Sequence, residues 1–386
     1  MNTPTRTDAA LGVALSGGGI RAMVLHLGVL DHLAEQHLLE QIGYLSTASG
    51  GSLLIGLLLK HAGNRWPSSQ QYLEEIAPAI ERTLLQRNLQ AAYTTRLALP
   101  WNWLRFPTRA EIMAEAIEEE WGVKAKLSDL PNAPIWAINC TTLETGRRWR
   151  FKAGTMGDYM YGYAKAPDFA VARAIAASAA FPGGISPLRI LTQDYEWYKY
   201  ESWDSDKQIS TAAYGSTVHL ADGGVYDNLA IEPFFDASRG RLKDDAKCNL
   251  VLVSDAGKPL RMIEPTLLAR WLGLSLRVTD IIHSQARALR IRQWAGFLSA
   301  NPGVGVLIDI GVSPSECIRR ASKRGVAIPS AVERSVLLDE AQCTALSGHK
   351  TNLLRPTADS FTALRRLGKE LTAVNLALYA GNLAGS

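Results

Sequence analysis

Two stretches of this sequence leave few choices of fold. Leu11-Gly-Val-Ala-Leu-Ser-Gly-Gly-Gly-Ile-Arg-Ala22 and Tyr44-Leu-Ser-Thr-Ala-Ser-Gly-Gly-Ser-Leu53 each run from a short apolar strand through a glycine turn into an apolar helix. A strand whose helix returns to a neighbouring strand builds a parallel sheet, and its turns gather at the carboxyl edge, where open α/β sheets place their chemistry. The first helix is predicted over residues 20–36, with Met23, Leu27, Leu30 and Leu33 on one stripe. The second, over 50–61, is apolar nearly all round, as a helix buried against a sheet should be.

The two turns carry different chemistry. Gly17, Gly18 and Gly19 have no Cβ, so their backbone can take positive φ and present N–H groups to an anion at a helix amino end. Ser49 stands in Thr47-Ala-Ser-Gly-Gly51, close to the G-x-S-x-G elbow that forces a nucleophilic hydroxyl into the open, with Thr47 in place of the first glycine. A serine hydroxyl needs a base at neutral pH. None of the seven histidines is predicted at a strand-to-turn junction, and His219, three residues before Asp222, falls on the opposite face of their strand. Asp222 does end an apolar strand, at Asp222-Gly-Gly224. Enclosure in apolar surroundings would raise its proton affinity enough to make it a base. Taken alone, Asp-Gly-Gly is also a plain hairpin turn. Arg21 either adds charge to the site or holds the glycine loop.

Between 63 and 131 the strand alternation gives way to Gln, Glu, Arg and Trp, which predicts an inserted helical layer. Thr108-Arg-Ala-Glu111 is a capping box for a helix ending at Gly122. The aromatic stretch 100–107, bracketed by prolines, reads as a lid, a lipid-contacting rim or filler under a loop. Residues 134–143 and 147–152 form a predicted hairpin, 170–180 a helix, and 216–221, 249–254 and 304–310 strands. One or two helices are expected over 264–294, and an amphipathic helix over 357–379 is expected to stop at Gly381. These elements make one domain: a core over 1–260 with the insertion at about 63–131, completed by a helical extension over 261–386.

Composition narrows the setting. The formal charge of +4 over 386 residues is mild and its cations are scattered, which argues against a nucleic acid polymer as partner. Cys140, Cys248, Cys317 and Cys343 form no C-x-x-C pair, which suits reduced thiols and a cytoplasmic protein. The longest apolar stretch, 53–59, is far short of the roughly 20 residues a bilayer span needs, so membrane contact is expected to be peripheral.

In order along the chain, Leu15-Ser-Gly-Gly-Gly-Ile-Arg21 with His26 and Gly28-Val-Leu30, Ala48-Ser-Gly-Gly-Ser52, Ala177-Ser-Ala-Ala-Phe-Pro182 and Asp222-Gly-Gly224 resemble the patatin-like phospholipases. The resemblance covers roughly 11–257. It implies an α/β fold of three layers around a central, mainly parallel sheet, and hydrolysis of acyl esters of membrane phospholipids without metal or cofactor. Carried over by position, Ser49 is the nucleophile, Asp222 the base, and Gly17, Gly18 and Gly19 the oxyanion hole, with Arg21, Gly50, Gly51, Gly223 and Gly224 in support. The reaction would pass through an acyl-serine intermediate. Some bacterial relatives are membrane-damaging effectors gated by cyclic nucleotides in antiviral defence. The basic clusters Arg147-Arg148-x-Arg150, 287–292 and 319–324 are candidates for such phosphate groups, or are simply solvated faces. Gly17-x-Gly19-x-x-Ala22 also spells a dinucleotide fingerprint, but the second strand ends Ser46-Thr47-Ala48-Ser49, without the acidic residue that a ribose requires.

Overall fold

The structure is a computed structural model and describes residues 11–104, 109–182, 184–202, 205–260, 262 and 271–380. Its strands, in chain order, are β1 (Leu11–Leu15), β2 (Ile42–Thr47), β3 (Ile135–Thr142), β4 (Arg148–Lys152), β5 (Thr155–Asp158), β6 (Gly162–Lys165) and β7 (Leu188–Leu191). There follow β8 (Trp197–Tyr200), β9 (Gln208–Ser210), β10 (Thr217–Asp222), the small hairpin β11 (Phe235–Asp236) and β12 (Arg241–Leu242), β13 (Leu250–Asp255) and β14 (Gly305–Asp309).

At the centre, β14, β13, β1, β2 and β3 lie side by side in that order and run parallel. Both faces of these strands are covered, so they read as continuous apolar runs, as Leu250–Asp255 does with every residue buried. On one face pack α1 (Gly19–Glu35), α2 (Gly50–His61), the helix Val171–Ser178 and the C-terminal helix Ala358–Tyr379. The other face is sealed by Leu229, Ile231, Phe234 and Phe235 together with Trp294 of the helix Trp271–Ala300. This is the three-layer α/β arrangement that the resemblance implies, around the parallel sheet expected from the two turns.

The helical insertion is present as Ala77–Gln86, Leu89–Ala98 and Arg109–Trp121, among shorter turns. Thr108, expected to open the last of these, and Gly381, expected to end the C-terminal helix, lie outside the described residues. So do 105–108 of the aromatic stretch, whose first part is the short helix Pro100–Leu104 with Trp101 exposed. Two expectations change. Of the one or two helices expected over 264–294, residues 264–270 lie outside the described residues, and from Trp271 a single helix runs past the expected end to Ala300. Beyond the hairpin of β3 and β4 the sheet continues as an antiparallel wing through β5, β6, β8 and β9, strands of only three or four residues that alternation cannot register.

The glycine loop that opens α1 is positioned by the packing of α1 on the C-terminal helix, and that packing is backbone against backbone. A Cβ built on Gly28 would lie 1.9 Å from the carbonyl oxygen of Arg365, and one on Gly368 would lie 2.0 Å from that of Leu25. Arg365 adds ion pairs to Asp31 at 2.5 Å and Glu81 at 2.7 Å. Gly28→Ala therefore forces the helices apart and is expected to cost about 3 kcal/mol in chemical denaturation. Gly296→Ala, in a helix with open space around it, should instead gain about 0.5–1 kcal/mol.

Candidate active site

The site begins with a difference in strand length. β2 pairs with β3 only as far as Thr47 opposite Ile138, whereas β3 runs on to Thr142. β4 occupies the other edge of β3 over residues 138–141. The edge left beyond β2 is taken by β10, which comes the opposite way and ends with Asp222 opposite Cys140. The end of β2 and the end of β10 thus face each other along one strand. Ser49, two residues past Thr47, and Asp222 meet in that gap, close enough for the Ser49 side chain to pull down the pKa of the Asp222 carboxyl.

Ser49 has φ 48° and ψ −113°, a conformation that costs a non-glycine residue on the order of 1–3 kcal/mol. Its backbone N–H donates to both the carbonyl and the hydroxyl oxygen of Ser178, at 3.1 and 3.0 Å, which fixes the elbow from below. The Ser178 hydroxyl in turn donates to Asn139 O at 2.7 Å and meets Ser52 Oγ at 2.8 Å; Ser52 meets Thr47 Oγ1 at 2.8 Å. The indole N–H of Trp136 donates to Thr47 Oγ1 at 2.9 Å. Thr47, the departure from the elbow pattern, is therefore a fully buried link in a satisfied hydroxyl chain under the turn.

Asp222 is 3% exposed, and burial pushes its pKa up to about 7. The Gly224 N–H, donating to Oδ1 at 2.6 Å, and the Ser49 side chain pull in the other direction. The main chain of Asp222 is pinned as well: its N–H donates to Ala180 O at 3.0 Å and its carbonyl accepts from Thr141 Oγ1 at 2.8 Å. Burial also holds the thiol of Cys140, its neighbour across the ladder, well above the usual range.

The glycine loop narrows the expected set of donors. Gly18 and Gly19 take φ of 147° and 60°, and their N–H groups meet no acceptor among the described residues. The same holds for the N–H of Gly50 at the start of α2. Gly17, expected as the third donor of the loop, is different: its N–H donates to Asn228 O at 3.2 Å and is already engaged. Gly51 donates to Ser16 O and Ala48 O, and Gly223 packs against Asn139 O, so both shape the turns.

Arg21 is a tie. Its Nε donates to Ala256 O at 3.0 Å, and Nη1 to His349 O at 2.6 Å and Thr351 Oγ1 at 2.9 Å, while burial lowers its pKa to about 10. Next to it, the Ile20 N–H donates to Asn352 O at 2.9 Å, so a loop from the last fifth of the chain grips the glycine turn. His26 is buried between Ser254 Oγ at 2.9 Å and Ser16 O at 3.0 Å, and burial lowers its pKa to about 4. His219 faces away from the site, bonded to Glu144 at 2.7 Å.

One residue at the site had no signal in the sequence. A Cβ built on Gly17 would lie 2.5 Å from Asn228 Oδ1 and 3.0 Å from Ser49 Cβ; one built on Gly224 would lie 2.6 Å from Asn228 Oδ1 and 3.0 Å from Asp222 Oδ1. The Asn228 carboxamide therefore stands beside both side chains. Two of the basic clusters are committed to carboxylates. Arg287 pairs with Asp255 and Asp309, and Arg290 with Asp227 and Glu232. Arg319 and Arg320 pair with Glu316 on an exposed face. Among the described residues no helix is long and apolar enough to cross a membrane.

Comparison with known proteins agrees with this architecture. The structure of human GIVD cytosolic phospholipase A2 is similar in fold, with a TM-score of 0.54 at 15% identity over 97% of this chain and 62% of that chain. The same human protein in complex with methyl gamma-linolenyl fluorophosphonate inhibitor and terbium chloride gives a TM-score of 0.49 at 16% identity, over 95% and 58% of the two chains. The present chain thus spans about three-fifths of the human protein's length. No curated protein matches. The sequence profile of the patatin-like phospholipases matches residues 13–235, more than half of the sequence. The chain therefore belongs to the patatin-like phospholipase family.

Proposed function

We propose that the chain is a lipid acyl hydrolase of phospholipase A type, working through Ser49 and Asp222 at the surface of a membrane. The observation that carries this reading is the meeting of a strained serine elbow with a buried carboxyl poised at about pH 7. A base with a pKa near the working pH is ionised often enough to accept a proton and basic enough to hold it.

In the reaction so read, Asp222 takes the proton of Ser49 Oγ as that oxygen attacks the acyl carbonyl carbon. The negative charge that develops on the carbonyl oxygen is met by the N–H groups of Gly18 and Gly19, with Gly50 next to the nucleophile. The tetrahedral species collapses by breaking the bond to the alcohol oxygen, which leaves with the proton from Asp222. Water then attacks acyl-Ser49, with Asp222 accepting its proton and returning one to Ser49 as fatty acid departs. The core, the inserted helices and the C-terminal extension act as one domain in this scheme. Assay with and without a cyclic dinucleotide separates a constitutive hydrolase from a gated one.

Fatty-acid release from mixed phospholipid vesicles, followed by mass spectrometry, tests the pair directly. Ser49→Ala and Asp222→Asn are each expected to abolish it while retaining the parent's circular dichroism; full activity in either overturns the reading. The pH profile of kcat/KM should rise to a plateau with a midpoint near 7, as Asp222 loses its proton. The linkage runs the other way for stability. A native pKa raised above the ordinary 3.8 means that stability falls as pH climbs from about 4 to about 7. Asp222→Asn should therefore melt higher than the parent above about pH 7, with the gain vanishing below about pH 4. Replacing Gly18 by Val should lower kcat by on the order of 100-fold with little change in KM, and a pure KM effect would remove Gly18 from the donor set.

A further inference from the structure

The antiparallel wing turns at the same end of the sheet as Ser49. β3 outruns β2 by four residues, from Ile138 to Thr142, which places the turn after it roughly 13 Å beyond the end of β2. The turn after β5 and the approach to β10 project to the same side. There Leu143, Tyr159, Met160 and Tyr214 are 50%, 44%, 44% and 73% exposed. Apolar side chains gathered on such a projecting rim mark a contact surface.

Cations stand beside these tips. Arg147 lies over the Tyr159 ring at 5.7 Å with Nε 3.4 Å from Met160 Sδ, and Lys199 Nζ donates to Met160 O at 2.8 Å. Further along β4 Arg150 covers Tyr163 at 4.9 Å, and at the far end of that strand Lys152 covers Tyr44 at 5.3 Å. None of these four cations forms an ion pair with a carboxylate among the described residues. The nearby acids are used elsewhere: Asp158 is buried and accepts from Thr142, Thr145 and the N–H groups of Met160 and Tyr161, while Glu144 holds His219. Arg147 and Lys199, without a carboxylate partner among the described residues and set against exposed apolar tips, complement an anionic bilayer, whose phosphates lie just above its acyl region. A single-stranded nucleic acid would need open ring faces on which to stack its bases, and Arg147 already covers that of Tyr159.

We propose that this rim docks on an anionic phospholipid bilayer. Leu143, Tyr159, Met160 and Tyr214 enter the headgroup layer, Arg147 and Lys199 meet lipid phosphates, and the end of the sheet that carries Ser49 is thereby held against the membrane. The proposal rests on the reading of the site as a lipid hydrolase, and the test separates the two. The full chain is floated with phosphatidylcholine vesicles, with and without phosphatidylserine, alongside the double variant Arg147→Ala/Lys199→Ala and the variant Met160→Asp. Each protein is also assayed on a soluble short-chain ester, with circular dichroism as the check on folding. The parent should float with vesicles containing phosphatidylserine. The double variant should lose roughly 30-fold in partitioning, about fivefold for each cation removed, and keep its turnover of the soluble ester. Met160→Asp should also weaken flotation. Unchanged flotation of both variants overturns the proposal, as does flotation indifferent to phosphatidylserine or retention on single-stranded RNA in preference to vesicles. If the parent floats and the variants do not, yet no protein cleaves ester or phospholipid, the docking surface stands and the hydrolase reading falls.

Discussion

The site depends on one strand edge shared by two partners. Where β2 stops, the backbone groups of β3 from Cys140 to Thr142 would be left without a ladder, and burying such groups unpaired is costly. β10 satisfies them and in doing so brings Asp222 to the place where β2 delivers Ser49. The separation of hydroxyl and carboxyl is therefore set by main-chain pairing rather than by a loop. The strain at Ser49 is tolerated for a related reason: its N–H is held by Ser178, and Ser178 by a hydroxyl chain that runs to Thr47 and Trp136.

Two aspartates at the ends of buried strands show how surroundings divide roles. Asp255 ends β13 and is held up to about 6 by burial, yet Arg287 faces it at 2.6 Å, so its charge is matched within the fold. Asp222 ends β10 with no cation beside it among the described residues. The nearest candidate in the sequence, Arg21, is turned away onto the carbonyls of Ala256 and His349. Burial without a counter-charge is what leaves Asp222 near neutrality.

Much of this was legible because it is local. Apolar run lengths gave the parallel strands, and the glycine turns gave the starts of α1 and α2; both are decided within a dozen residues. The order of the motifs singled out Ser49 and Asp222, which the fold brings together. What escaped depends on distant partners. Nothing around Gly17 reveals that the carbonyl of Asn228 takes its N–H, and Thr47 looked like a flaw until Ser52 and Trp136 were seen against it. The arginines at 287 and 290 read as free charge because their carboxylates come from β13, β14 and the segment after β10. The wing was missed for a different reason: strands of three or four residues carry too little pattern to rise above loop.

The grip of His349, Thr351 and Asn352 on the turn that opens α1 has a consequence in time. Synthesis proceeds from the amino end, so Ser49 and Asp222 leave the ribosome well before the segment that clamps the glycine loop and the helix that covers α1. A nascent chain lacks the frame that aims those amides until residues 349–352 have been made.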